Sequence, residues 1–152
     1  MEARMTHPVF AVPAALKALT AYSRAGEGLG VPAETREMLH LRASQINGCS
    51  VCVQLHSNSL KKEGMSDERL YAVAAWRDAP YFTDAERAAL RLTEAVTRVA
   101  DRGDPVPDDV WAEAARHYDE QGLSALLIAI TSINVWNRLN AATRQVAGSW
   151  SA

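Results

Sequence analysis

Cysteine is almost absent from this chain, with two residues in 152, and both fall within four positions of one another. A signal-peptide pattern is missing too: the opening Met-Glu-Ala-Arg-Met-Thr-His-Pro has no basic stretch followed by an apolar one. Two cysteines in a chain that reads as unexported are catalytic or metal-binding more often than structural staples, and a cytoplasmic setting is expected. Charge of one sign is equally scarce. Lys+Arg 16 against Asp+Glu 18 leaves a net charge of −2, with no extended run of either sign. That excludes the electrostatic footprint of a nucleic-acid or acidic-membrane binder. The longest uncharged apolar-rich stretch, residues 121–137, contains Ser124, Thr131, Ser132 and Asn134 and is short for a membrane span. Apolar/polar alternation is missing as well, which removes the signal for half-buried strands.

What remains is helix. Ala, Leu, Glu and Arg dominate every long segment. The sequence predicts helices over about residues 13–25, 32–46, 49–63, 66–79, 83–100, 108–118 and 123–146, divided by glycine and proline breaks. Ser66 is a cap, and Thr83-Asp-Ala-Glu86 reads as a capping box. Gly26-Glu-Gly-Leu-Gly30 lacks the Lys-Ser/Thr ending and the preceding strand of a phosphate-binding loop, so it reads as a turn. No linker or repeat divides the chain, and a length of 152 residues suits one core. The expectation is a single all-α domain, residues 1–152, of six to seven helices. The last helix is apolar nearly all round at its start, from Leu123 to Trp136. It is expected either at the centre of the core or against a second subunit.

The chemistry concentrates in Cys49-Ser-Val-Cys52-Val-Gln-Leu-His56. On a helix, positions 49, 52 and 56 fall within an arc of roughly 60°, and Cα atoms three residues apart are about 5 Å apart. A disulfide closes over that distance. Cys52 and His56 stand at i and i+4, where side chains meet. An imidazole beside a thiol can take its proton, and the thiolate is the reactive form. Asn47-Gly48 breaks the preceding helix, which carries Glu37. Folded back, it would bring a carboxylate to His56 that fixes the imidazole tautomer and raises its basicity.

Glu37-x11-Cys49-x2-Cys52-x3-His56 resembles the signature of the alkylhydroperoxidase D-like (AhpD-like) branch of the carboxymuconolactone decarboxylase superfamily. Residues 43–49, Trp76, residues 82–90 and residues 133–139 are similar to the family's other segments, so the resemblance covers about residues 36–144. It implies an all-helical protomer, with the Cys-x-x-Cys-x-x-x-His helix beside a Glu-bearing helix, assembled as a homo-oligomer, a trimer or a hexamer. It further implies thiol-dependent reduction of a hydroperoxide substrate by a Cys49/Cys52 dithiol–disulfide cycle, with Cys52 peroxidatic, Cys49 resolving, and His56 and Glu37 as a proton relay. No cofactor beyond the disulfide is implied. The reductant would be a dihydrolipoyl or thioredoxin-like dithiol. One position departs from the pattern: where the better-studied peroxidase has a histidine just before the second cysteine, this chain has Val51.

The residues leave alternatives open. A helix N-terminus favours a thiolate at Cys49, by a few tenths to about 1 kcal/mol; the neighbouring His56 outweighs this in favour of Cys52. Cys49, Cys52, His56 and Glu37 could supply zinc ligands, although two of them lie about 10 Å apart along one helix. A decarboxylase-type lyase and a redox-inert helical oligomer are the remaining readings. His40 is read as a surface partner of Glu37, and Trp76, Trp111 and Trp136 as core or interface anchors. Asn134, Asn137 and Arg138 form a polar cluster expected at helix ends or a neighbouring subunit. His7 and His117 stand alone, and Trp150 belongs to the tail.

Overall fold

The computed structural model describes residues 2–101 and 103–148, so Trp150 lies outside the described residues. Eight α-helices form among them: α1 (Pro8–Ala11), α2 (Pro13–Arg24), α3 (Ala33–Asn47), α4 (Ser50–Lys62), α5 (Asp67–Ala72), α6 (Asp84–Thr97), α7 (Asp108–His117) and α8 (Glu120–Thr143). Single 3₁₀ turns follow α5 and α6, at Val73–Ala75 and Val99–Asp101. The all-α expectation holds. The count of six to seven falls short by α1, a single turn opened by Pro8 and capped by His7, whose Nδ1 accepts the Val9 amide at 3.2 Å. A four-residue helix leaves no periodicity to detect. His7 is therefore not solitary: it is buried, and its ring lies 5.8 Å from that of Trp136.

Boundaries follow local chemistry. Thr83 and Glu86 exchange the reciprocal bonds of a capping box at the start of α6. Asp119 accepts the Gly122 amide at 2.8 Å and starts α8 three residues before the sequence predicts. The same helix ends at Thr143, because Arg144 turns left-handed at φ +52°. The glycine-rich stretch around 26–30 is a turn, with Gly28 and Gly30 at positive φ.

Helix α3 lies at the centre, packed against α4, α6 and α8. Met38, Leu39, Leu41 and Ala43 are at most 1 % exposed, so this helix is buried along most of its length. Helix α8 forms a second wall through Leu126, Ile130 and Ile133. The other helices cover more of its apolar surface than the sequence implies. Val135 is exposed, and Leu123, Leu127 and Ile128 are half-buried. No helix among the described residues is long and apolar enough to cross a membrane.

Polar pins fix α3 to its neighbours. Asn47 Nδ2 donates to Asn134 Oδ1 and Asn137 Oδ1, both at 2.9 Å, and Asn137 Nδ2 donates to Ser44 Oγ at 3.0 Å. Arg138 closes on Asn134 Oδ1 at 2.8 Å. The cluster thus ties the last turn of α3 to α8 within one chain. A second pin is Glu94, only 4 % exposed. It accepts from Arg42 at 2.7 Å, Arg77 at 2.7 Å and the Trp76 indole at 2.9 Å. Burial alone would raise this carboxyl; the donors from Arg77, Trp76 and Arg42 overcome it and hold the group at about 2.

A folded-state value below the ordinary 4.5 means the ionised carboxylate favours the fold. That contribution is complete above the unfolded value and is lost as pH falls from 4.5 toward 2. Glu94→Ala, which strands Arg42, is expected to cost about 2–4 kcal/mol in chemical denaturation at pH 7. Its deficit should shrink as the pH approaches 2; a deficit independent of pH would show that packing, not charge, dominates at this site.

Candidate active site

Gly48 sets the geometry of the site. It caps α3 in the left-handed region at φ +68°, a conformation glycine adopts without the Cβ penalty. Its own amide bonds back to α3, and the Cys49 amide donates to Ser44 O at 3.0 Å. The chain reverses and α4 begins at once. Cys49 is not in the first helical turn, as expected, but is the N-cap in extended conformation. Its Sγ accepts the Cys52 amide at 3.3 Å, the position a capping hydroxyl would fill. Cys49 and Cys52 are joined in a disulfide with Cα atoms 5.4 Å apart, close to the helical expectation.

Both sulfurs are nearly buried, in a small apolar cluster with Ala43, Val51 and Ile133. Cys52 also lines a cavity of about 320 Å³ whose walls include Leu55, Ile133, Trp136, Glu37, His40, His56 and Asn140. All four candidate residues are thus held together: Cys52, Glu37 and His56 share this cavity, and Cys49 is bonded to it through Cys52. Val51 is buried in the apolar cluster instead.

Glu37 Oε2 lies 2.8 Å from His56 Nδ1, joining α3 to α4. Burial would raise the Glu37 carboxyl, but the neighbouring His40 and His56 imidazoles hold it far below the usual carboxylate range. Ionised, it can only accept, so Nδ1 of His56 carries the proton. The neutral ring then keeps its lone pair on Nε2, the form a general base requires.

His40 belongs to this group and is not the surface residue the sequence implies. Its side chain is 15 % exposed, its Nδ1 stands 3.4 Å from Glu37 Oε1, and its ring centroid is 4.9 Å from that of His56. Burial pushes its imidazole below the ordinary value, and the neighbouring Glu37 carboxylate opposes that only in part. It is neutral at pH 7, and neither ring nitrogen has a hydrogen-bond partner among the described residues. The i, i+3 spacing of Glu37 and His40 is visible in the sequence; that α4 covers the pair is not.

Asn140 is the site residue the sequence does not reveal. Its Nδ2 donates to Cys52 Sγ at 3.3 Å across 88 residues of chain. The one available signal is its spacing from Ile133 and Asn137 on a single face of α8. The cysteines are joined here and offer no thiolate, so a zinc site using both would require the reduced dithiol. Glu37, His40 and His56 do bring one ligand atom each within 4.8 Å of one another.

Residues 11–95 match the carboxymuconolactone decarboxylase family. The uncharacterized protein YdfG of Bacillus subtilis (strain 168) is 36 % identical over 115 residues, which span 76 % of this chain and 77 % of that protein. A solved protein of unknown function from Agrobacterium tumefaciens, provisionally an antioxidant defence protein AhpD, superposes with a TM-score of 0.89 at 31 % identity over 98 % of this chain and 100 % of that one. The debrominase Bmp8, solved as a cysteine-to-alanine variant in complex with 2,3,4-tribromopyrrole, shares the fold at a TM-score of 0.78 and 19 % identity, over 93 % of this chain and 74 % of that one. The match over residues 11–95 and the likeness to the Agrobacterium protein along its whole length place this chain in the carboxymuconolactone decarboxylase family, on its AhpD-like side.

Proposed function

We propose that the protein is a thiol-dependent peroxidase that reduces organic hydroperoxides through a Cys49/Cys52 dithiol–disulfide cycle. The observation that carries this reading is the convergence of Cys52 and the Glu37–His56 pair on one apolar-walled cavity. In the reduced protein His56 Nε2 takes the Cys52 proton, with Glu37 stabilising the imidazolium that forms. The Asn140 amide, at 3.3 Å from the sulfur, stabilises the thiolate. The thiolate attacks the terminal peroxide oxygen and the O–O bond breaks. His56 returns its proton to the departing alkoxide, which leaves as an alcohol, and Cys52 becomes a sulfenic acid. Cys49 then attacks Cys52 Sγ, water leaves, and the disulfide closes. Two electrons pass from the dithiol to the peroxide.

Several features support an organic substrate. Leu55, Ile133 and Trp136 line the cavity, so its walls favour an alkyl or aryl group over hydrogen peroxide. Bmp8 was solved with a brominated pyrrole, so this fold accommodates a compact apolar ring. The cycle is completed by a dithiol donor, dihydrolipoyl or thioredoxin-like. The half-buried Leu127 and Ile128 and the exposed Val135 form the surface on which copies of the chain assemble as a trimer or hexamer.

One equivalent of cumene hydroperoxide added to the reduced protein should remove two thiols and yield a linked Cys49–Cys52 peptide by mass spectrometry. Cys49→Ser should stop at a sulfenic acid, and Cys52→Ser should react slowly. His56→Ala should slow the first step by roughly 10²-fold, the usual scale of general-base catalysis. His40→Asn, which removes the ring packed beside Glu37 and His56, should slow it by about 2–10-fold, at most about 1.4 kcal/mol of barrier. Two thiols that persist after peroxide would refute the cycle, and an undiminished His56→Ala variant would refute the relay.

Assembly is tested separately by light scattering over a dilution series. A trimer or larger species is expected, shifted toward monomer by Val135→Asp; a wild-type monomer at micromolar concentration rules the assembly out.

A further inference from the structure

The disulfide borders two cavities, and each receives a different sulfur. Cys52 lines the one described above. Cys49 lines another, of about 430 Å³, between the start of α4 and the end of α8, walled by Ser50, Asn140, Ala141, Arg144 and Gln145. We propose that this second cavity admits the reductant, a small anionic dithiol, so that oxidant and reductant reach opposite sulfurs through separate openings. The proposal rests on the redox reading of the cysteine pair.

Thiol–disulfide exchange supplies the first argument. The incoming thiolate attacks one sulfur and expels the other, so the outcome depends on which sulfur is reached and how well the other is accommodated as it leaves. From the second cavity the cysteine reached is Cys49. A donor thiolate bonds to Cys49 Sγ, the Cys49–Cys52 bond breaks, and Cys52 leaves with the electron pair. It leaves toward the side that receives it best, where Asn140 Nδ2 already donates at 3.3 Å and His56 shares the cavity. The donor's second thiolate then attacks its own sulfur in the mixed disulfide and releases Cys49. Two electrons and two protons pass from the dithiol to the protein, and the donor ends as a cyclic disulfide. Cys52 is thereby regenerated in the cavity where peroxide is consumed.

Arg144 supplies the second. It is the one non-glycine residue at positive φ among the described residues, at +52°, a position where glycine would avoid the steric conflict. Its side chain is exposed and makes no hydrogen bond or ion pair among the described residues. A strained backbone that presents a free guanidinium beside Cys49 is the arrangement a carboxylate-bearing donor would use. Asn140 supplies the third. It is 4 % exposed and lines both cavities, and its Oδ1 accepts no hydrogen bond among the described residues. An acceptor held there suits the thiol proton of a ligand at either sulfur. A purely structural reading of Arg144, as a cation offsetting the α8 dipole, accounts for stability and predicts no effect on reduction.

The test uses the full-length protein, oxidised beforehand, and needs no peroxide. Dihydrolipoate and its neutral amide are the probes, because they share one dithiol and differ by one charge. Thiol release is followed by stopped flow at low ionic strength. The wild type should be reduced several-fold faster by dihydrolipoate, and Arg144→Gly, which keeps the turn, should bring the ratio to about one with an unchanged or higher Tm. Ala141→Trp, at an exposed position, should fill the cavity and slow both dithiols tenfold or more. Reduced Ala141→Trp should still consume cumene hydroperoxide within about twofold of the wild type. Equal slowing of both half-reactions, or of neither, overturns the separate opening; a charge preference that survives Arg144→Gly overturns the role of Arg144. A wild type inert to peroxide would refute the peroxidase reading alone, since the dithiol arm is judged without it.

Discussion

Gly48 and the Asn47 side chain behind it govern where everything else in the site falls. The left-handed turn at φ +68° reverses α3 into α4. Asn47, bonded to Asn134 and Asn137, fixes that reversal against α8. Glu37 lies eleven residues before Gly48 and His56 eight after it, about 16 and 12 Å along their helices. An immediate reversal sets the two side chains at similar height, which is the condition for their 2.8 Å contact. The same turn holds Cys49 extended at the N-cap and Cys52 in the first helical turn. A glycine, a cap and an asparagine pin therefore determine both the spacing of the sulfurs and the meeting of acid with base.

The protonation states follow from that placement. A carboxylate beside two imidazoles stays ionised, because His56 donates to it and neither ring competes for its charge. With the Nδ1 proton directed at Glu37, a neutral His56 ring places its accepting nitrogen at Nε2. His40, which burial keeps neutral, lies beside Glu37 without adding charge. This bears on Val51. A histidine at that position would sit in the apolar cluster of Ala43 and Ile133, away from the Glu37 pair. Here a second imidazole, that of His40 on α3, stands one turn beyond Glu37 and beside His56.

Much of this is legible in the chain, and the rest is not for identifiable reasons. The helices, the Thr83 cap, the disulfide spacing and the four site residues Glu37, Cys49, Cys52 and His56 all depend on relations within twenty residues, where helical geometry is decisive. Asn140 touches Cys52 across 88 residues, and no local rule reaches that far. His40 reads wrongly as a surface residue because its i, i+3 spacing from Glu37 describes an exposed pair equally well; burial by α4 decides the matter. The polar cluster of Asn134, Asn137 and Arg138 reads as belonging to helix ends or another subunit, because an apolar helix gives its polar residues no visible partner. The helix end is the right one: Asn134 and Asn137 bond to the last turn of α3, and Arg138 closes on Asn134. The apolar start of α8 implies more uncovered surface than exists, since the wrapping of the neighbouring helices is a property of packing, not of composition.

The chain holds two internal carboxylates with lowered proton affinity, and comparing them separates structure from chemistry. Glu94 is 4 % exposed and saturated by guanidinium and indole donors that cannot give up a proton near neutral pH. Such a group holds α3, α6 and the turn bearing Trp76 together and has no route to a reacting molecule. Glu37 is 21 % exposed, and its donors are imidazoles, the side chains whose protons move in the neutral range. It also borders a cavity that reaches a sulfur. A perturbed carboxylate is thus informative about function only together with the lability of its partners and access to solvent or substrate. By both criteria Glu37 is the candidate for proton transfer and Glu94 a structural group, although the two carry the same charge and both lie beneath the surface.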